Sequence, residues 1–472
     1  MRLLWVLLGS VSLLGACASV GDGKIMPSFS EVPASQIPEL TPKNWSAEYK
    51  ADAAMRHLSW VASFGDQKLE DLVTEALANN YNLEASSARL QQSLALAKIS
   101  NSARLPSLSL GASGTGTAIP NAPNTESYSG NLTASWELDL WGRVRDRAKA
   151  SANDAAAAQA DFEALQLSVA GQTASAWIAL ISASQQAALA ADDVTTRERS
   201  MGIVERRYNS GLSTSLDIRL ARSALAGSRA TVAFQKQQHA NATRRLEILL
   251  GRYPAHEIKA IAVLPIISTL GPIASPEDVL IRRPDIRSAE QRLEASGLRV
   301  AEARKALLPS LILRGSASTN GGQVADIFDL NRVISSLVGS VTQPLFAGGS
   351  IKAGISRSEA AQREQLARYA QTVLIAWREV EDALSGEKYL LQREAALLIS
   401  VAEAKEAERL AEREYVRGVG TIFELLDAQR RRISAEGQLI TAASARASNR
   451  IALFLALGGS NEIIADNTAK TR

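Results

Sequence analysis

Residues 128 to 140 alternate without interruption between apolar and polar side chains. Tyr128, Gly130, Leu132, Ala134, Trp136, Leu138 and Leu140 fall on one side, and Ser129, Asn131, Thr133, Ser135, Glu137 and Asp139 on the other. That period of two predicts a strand with one apolar and one polar face. Shorter runs of the same kind follow two prolines. Leu108, Leu110 and Ala112 alternate with small polar residues after Pro106, as do Leu311, Leu313, Gly315 and Ala317 after Pro309. The loops AIPNAPNTES and NGGQVADIFDLNR carry the Gly, Pro and Asn of surface turns. After Gly142 the pattern changes to an alanine-rich stretch of high helix propensity. No proline lies between Pro123 and Pro254, and none follows Pro344, which predicts very long helices. One running from near Arg143 to about Tyr208 rises roughly 100 Å at ~1.5 Å per residue, too long for a compact domain. Gly211 and Gly418 mark sharp turns from one long helix into the next.

The same order of elements is written twice, with a period of about 205 residues. RLPSLSL (104–110) matches ALLPSLIL (306–313), and Tyr81-Asn82-Leu83 matches Pro284-Asp285-Ile286. ELDLWGR matches TQPLFAGG, RYNSGLSTSLDI (207–218) matches EYVRGVGTIFELL (414–426), and ILLGR (248–252) matches LALGG (455–459). Each half reads helix, strand, strand, long helix, Gly-marked turn, long helix. The first repeat spans 60–252, with strands near 105–116 and 128–140. A linker occupies 253–279, the second repeat spans 280–459 with strands near 308–319 and 334–346, and 460–472 is a tail.

Two repeats give four strands per chain. A two-faced sheet in lipid cannot leave its edges unpaired, because each bare backbone group there costs several kcal/mol. Four strands cannot close around side chains, and the smallest membrane barrels have about eight. Oligomerisation follows: two chains supply eight strands and three supply twelve, and the larger leaves a generous lumen. The competing reading is a soluble helix–sheet protein whose own helices cover the apolar strand face.

Composition adds few constraints. The 472 residues carry 52 basic and 49 acidic side chains, so nothing points to nucleic acid, and the 5% aromatic share suits helices packed through Ala and Leu. The first sixteen residues, with Arg2 and an apolar run from Leu3 to Leu14, form a signal peptide too short to be a permanent span. Leu14-Gly15-Ala16-Cys17 resembles a lipobox, which makes Cys17, the sole cysteine, the lipidated first residue of the mature chain. The alternative is an ordinary secretory signal with a chance cysteine. Residues 17–59, with Pro27, Pro33, Pro38 and Pro42, form an extended leash. His57, His239 and His256 show no ligand spacing, and no nucleotide loop or nucleophile elbow is present, so no metal, cofactor or enzyme activity is expected.

LIRRPDIRSAEQRLEAS (280–296), SWELDLWGR, QPLFAGG (343–349), RYNSGLSTSLD and VGTIFELLDAQR (419–430) together resemble the TolC family of outer-membrane efflux proteins. The likeness is to the NodT-like lipoprotein branch, which serves resistance-nodulation-division pumps. It implies a mainly α protein with a membrane β-barrel. Three copies would form a twelve-stranded barrel in the outer membrane on a long periplasmic α-helical barrel, with a mixed equatorial belt near 253–283 and the chain ends. It implies as partners a membrane-fusion adaptor and an inner-membrane pump, with drugs or other small amphiphiles as cargo. The turns at Gly211, Leu212, Gly418 and Val419 become adaptor-docking sites. Glu424 and Asp427 match inward-facing acidic rings at the periplasmic constriction, and Asp217 matches a residue that ties neighbouring helices in the closed state. Leu308 stands where many relatives have Phe. Gly420 stands where the protein-exporting branch carries a locking arginine, which leaves Arg417 as the candidate substitute partner for Asp217. Competing functions are a duct for protein or heavy-metal export and a non-conducting helical scaffold.

Overall fold

The computed structural model describes residues 42, 44–47, 60–120, 123–260, 263–265, 267, 270 and 273–459. The signal peptide, Cys17, His57 and the tail 460–472 lie outside the described residues.

The first repeat opens with two helices, α1 (Gln67–Asn79) and α2 (Tyr81–Ser102), followed by strands β1 (Ser107–Thr117) and β2 (Thr125–Leu138). Two long helices complete it: α3 (Arg143–Asn209), of 67 residues, and α4 (Ser215–Leu249). The second repeat contains α5 (Pro276–Arg282), α6 (Pro284–Lys305), β3 (Ser310–Gly321), β4 (Ile334–Thr342), the 68-residue α7 (Ser350–Arg417) and α8 (Ile422–Ala456).

The elements end where the chemistry of single residues dictates. β2 stops at Leu138, short of the predicted residue 140, because the next residue turns to cap a helix. The Asp139 carboxylate accepts the Val144 and Arg145 N–H groups at 3.0 and 2.7 Å. β4 stops at Thr342, well before 346, because Pro344 has no N–H to give a ladder. Capping boxes fix three helix starts, with Thr214 and Asp217 opening α4, Ser275 and Asp278 opening α5, and Thr421 and Glu424 opening α8.

The four strands form one antiparallel sheet in the order β1-β2-β3-β4. Its central pair joins the two repeats, with Leu132 opposite Ala317 and Trp136 opposite Leu313. Leu108 and Leu110 lie opposite Ala134 and Leu132, and Leu311 opposite Val341, so one apolar face runs across all four strands. The other face is hydroxyl-rich: the Ser113 and Ser129 Oγ atoms are 2.8 Å apart, and those of Ser316 and Ser336 are 2.9 Å apart. Among the described residues neither β1 nor β4 has a partner on its outer edge. The apolar face is not covered by the long helices, as the soluble alternative requires: Leu108 and Leu110 are 70% and 83% exposed.

The main core lies away from the sheet, around the middle of α3. Trp177, Ile178, Leu180 and Ile181 are fully buried there against Leu69, Leu72 and Leu246. Trp60, Phe64 and Phe454 form an aromatic trio with ring centroids 6.2 to 6.5 Å apart, docking the start of the first repeat on the end of the second. The Trp177 indole N–H donates to Asp66 at 2.7 Å, and the other Asp66 oxygen caps α1 through the Leu69 N–H.

Arg283 closes the second repeat on itself. Its buried guanidinium donates to Asp285, to Glu379 on α7 and to the Ala456 carbonyl at the end of α8. Part of the expected leash is also fixed. Trp45 packs near Ile273 and Leu457 and donates its indole N–H to the Ala274 carbonyl at 2.9 Å. Glu381 accepts the Ser46 and Ala47 N–H groups at 2.6 and 2.8 Å.

Candidate functional site: the paired helical tips

Two helical hairpins end in tips built to one plan. At the first, α3 runs into Gly211 at φ +73°, whose N–H donates to the Tyr208 carbonyl, while Leu212 N–H donates to Arg207. At the second, α7 runs into Gly418 at φ +83°, whose N–H donates to Tyr415, while Val419 and Gly420 donate to Glu414. Left-handed backbone at both turns accounts for glycine in each. Both tips expose apolar side chains at matching places. Leu212 and Val419 are 67% and 79% exposed, and Leu216 and Phe423, on the first turns of α4 and α8, are exposed as well. The sequence reading named the first pair and missed the second. The repeat itself was the signal, since each pair occupies equivalent positions beside a capping box.

The acidic residues hold local partners. One Asp217 oxygen accepts the Thr214 N–H at 3.0 Å and the Ser213 hydroxyl at 2.6 Å. One Glu424 oxygen accepts the Thr421 N–H at 2.6 Å and its hydroxyl at 2.9 Å. Burial works against ionisation of Asp217, yet the Ser213 and Thr214 hydrogen bonds and the Arg207 charge hold its carboxyl below the usual range. Backbone and side-chain bonds from Thr421 lower Glu424 in the same way. Asp427 does lie one helical turn along from Glu424, but Arg430 and Arg431 both bond it, the latter at 2.6 Å. These two arginines lower its carboxyl.

The cation that acts on Asp217 within the chain is Arg207, not Arg417. Arg417 is exposed and makes no hydrogen bond or ion pair to a described residue. Arg207 instead ties the two tips together. It donates to the Tyr415 carbonyl at 2.7 Å across the gap and to Leu212 on its own tip at 3.2 Å. Its guanidinium carbon lies 4.9 Å from the centroid of the Tyr415 ring. Tyr415 itself is buried among Met201, Val204, Ala221, Ile422 and Leu425, a small core between the hairpins. Sequence reasoning missed Arg207 because its partners are backbone carbonyl groups, which have no letter, and the one on Tyr415 belongs to the other hairpin.

A second cross-hairpin knot sits further along the same helices. Arg432 on α8 is buried and bonds Glu408 on α7, Asp192 on α3 and Glu436 on its own helix. Burial raises the Glu408 carboxyl, and the Arg432 charge opposes that. Arg199 reaches Glu412 at 2.9 Å between these two stations. Among the described residues no group of three or more His, Cys, Asp or Glu is placed to hold a metal ion. His239 and His256 do meet, with ring centroids 5.2 Å apart.

Comparison with known proteins agrees with this architecture. Outer membrane protein OprJ of Pseudomonas aeruginosa is 30% identical over 95% of this chain and 95% of its own length. The toluene efflux pump outer membrane protein TtgF of Pseudomonas putida is 29% identical over 85% of each chain. The solved structure of the outer-membrane channel OprN superposes with a TM-score of 0.81 at 28% identity, covering 92% of this chain and 99% of that one. The profile of the family described as outer membrane efflux protein matches residues 72–252 and 275–459, one segment for each repeat, and the chain belongs to that family.

Proposed function

We propose that three copies of this chain form the exit duct of a tripartite efflux pump, carrying drugs or other small amphiphiles across the periplasm and outer membrane. The open sheet carries this reading. One apolar face crosses four strands, both edges lack a partner among the described residues, and the sheet leads directly into helices about 100 Å long. Closing three such sheets gives twelve strands with the hydroxyl-rich face around a lumen. The chain is a channel and not an enzyme, so the energy for export comes from a partner.

That partner, on this reading, is an inner-membrane resistance-nodulation-division pump, joined through a periplasmic adaptor seated on Leu212, Val419 and the turns at Gly211 and Gly418. The toluene pump component TtgF supports small apolar cargo. Glu424 and Asp427 from each copy line the periplasmic constriction, with Asp217 and Arg417 at its rim. The lipobox places an acyl chain on Cys17, fixing the mature chain to outer-membrane lipid as in the NodT-like branch. Mass spectrometry of the mature N-terminus tests the anchor, and an unmodified Cys17 overturns it.

Crosslinking and planar-bilayer recording test the duct. The expected result is a ladder ending at three chains and discrete channels once the tips are loosened. A stable inserted monomer, or a trimer that never conducts, refutes the reading.

A further inference from the structure

Two glycines decide where the chain goes between β3 and β4. Gly130 on β2 stands opposite Thr319 on β3, and the next pair outward on that face is Tyr128 opposite Gly321. All four positions share the apolar face of Leu132 and Ala317. A Cβ on Gly130 would come within 2.7 Å of the Ile327 side chain, and one on Gly321 would collide with Asp326. The Thr319 hydroxyl donates to the Ile327 carbonyl at 2.8 Å. The chain after β3 therefore folds back onto the apolar face, as the short helices Val324–Phe328 and Leu330–Arg332, and not over the polar one.

The polar side chains of this loop satisfy one another. Asp326 accepts the Gln323 N–H at 2.9 Å, and Asp329 accepts that of Asn331 at 3.0 Å. Arg332 pairs with both carboxylates, at 3.2 and 3.3 Å. What the loop turns outward is apolar. Phe328 and Leu330 are 80% and 84% exposed, and Val324 and Val333 are exposed as well. The equivalent connection of the first repeat, 118–124, carries one large apolar residue, Ile119. The duplication therefore does not account for the cluster.

The depth of the loop follows from the aromatic residues on the same face. The Tyr128 ring lies over Gly114 at the outer end, 3.0 Å from where a Cβ would stand. Trp136 lies further along β2, about 26 Å away at ~3.3 Å per residue. On a tilted strand these two rings bracket most of the ~25 Å apolar band of a membrane barrel. Ile327, against Gly130, sits one step inside Tyr128. We propose that this loop is a membrane foot, with Phe328 and Leu330 inserted among the acyl chains of the outer leaflet just below the headgroups. The inference rests on the membrane-barrel reading and adds a lipid contact that the strands do not make. The loop lies on the central pair β2–β3, so copies that meet β1 and β4 leave it uncovered. It extends the face that the barrel already turns to lipid, and exposed apolar side chains at that boundary gain by burial there.

Two experiments on the full-length protein test the foot. A photoreactive benzophenone amino acid is placed at position 328, at Leu132 on the apolar face, or at Ser336 on the polar face. After reconstitution into phosphatidylcholine vesicles and irradiation, mass spectrometry should find lipid adducts at 132 and 328 and none at 336. Adducts at 132 without any at 328, or crosslinks from 328 to protein in place of lipid, overturn the foot and leave the membrane barrel standing. No adduct at 132 refutes the barrel and the foot with it. In the second experiment, Phe328→Ala with Leu330→Ala should leave single-channel conductance unchanged once the tips are loosened, because the loop stands outside the lumen. A raised conductance would show that the loop covers the pore mouth, and would overturn the foot.

Discussion

Replacing Arg207 by alanine should unlock the tips. The side chain makes two well-formed charged hydrogen bonds to carbonyl groups, one on each hairpin, and covers the Tyr415 ring. Hydrogen bonds from a charged donor contribute about 1.5–3 kcal/mol each, and a half-buried cation–π contact about 1 kcal/mol. The bond to Leu212 stays within one tip, so the part that couples the hairpins is the Tyr415 carbonyl bond plus the ring contact, or about 3 kcal/mol per copy. At ~1.4 kcal/mol per factor of ten, that shifts the equilibrium between joined and parted tips by roughly a hundredfold for each chain. Single-channel recording of the purified trimer should show a marked rise in open time for Arg207→Ala, with no change in trimer melting. Arg207→Lys should be intermediate, since one ammonium cannot span both carbonyls with a planar fork. Tyr415→Phe should barely matter, because the buried Tyr415 hydroxyl has no hydrogen-bond partner among the described residues. An Arg207→Ala channel as quiet as the parent, with its trimer intact, would show that the tips are held by something else.

Glu424→Gln combined with Asp427→Asn should preserve the trimer and move the reversal potential under a salt gradient away from cation preference; an unchanged potential removes both carboxylates from the constriction. Charged substitutions at Leu212 and Val419, both strongly exposed, should reduce drug resistance in cells without lowering trimer level, and unaltered resistance rules out docking there. Acid should loosen the helix starts at the tips. The folded-state values of Asp217 and Glu424 lie below their ordinary values of 3.8 and 4.5, so the caps contribute fully above those values and are lost as pH falls through the depressed ones. The Thr214 and Thr421 amides, which donate to these carboxylates, should lose protection against hydrogen exchange in that window. A flat profile would refute the linkage.

The strands and long helices were legible because their signals are local. Alternation along 128–140 defines a strand whatever surrounds it, and the absence of proline after Pro344 leaves long helices unbroken. The glycine turns were legible for the same reason. Glu424 was legible as a capping residue as well as an acidic position near the turn. Thr421 three residues before it is a capping signature, and in the structure that cap holds its carboxylate. Arg432, Arg283 and Arg207 looked like ordinary charges on helical faces. Their partners at Glu408, Ala456 and Tyr415 come from other elements, and no spacing along the chain encodes such meetings. The ends of β2 and β4 were missed by a few residues because Asp139 and Pro344 act on the backbone rather than on the hydrophobic pattern.

The docking of Trp45 has a mechanical meaning. Tension on the chain ahead of Trp45 enters the folded body first at Ala274 and Glu381, the latter near mid-length of α7, and not at the aromatic trio around Trp60. Two backbone amides gripped by one carboxylate, with an indole wedged beside them, resist a pull along the segment by loading all three bonds together. A load path that bypasses the first repeat delivers strain to the helix that leads to Tyr415 and the second tip. Stretching the N-terminal segment with tweezers should therefore give an early rupture, before any long helix unravels, that Glu381→Gln abolishes.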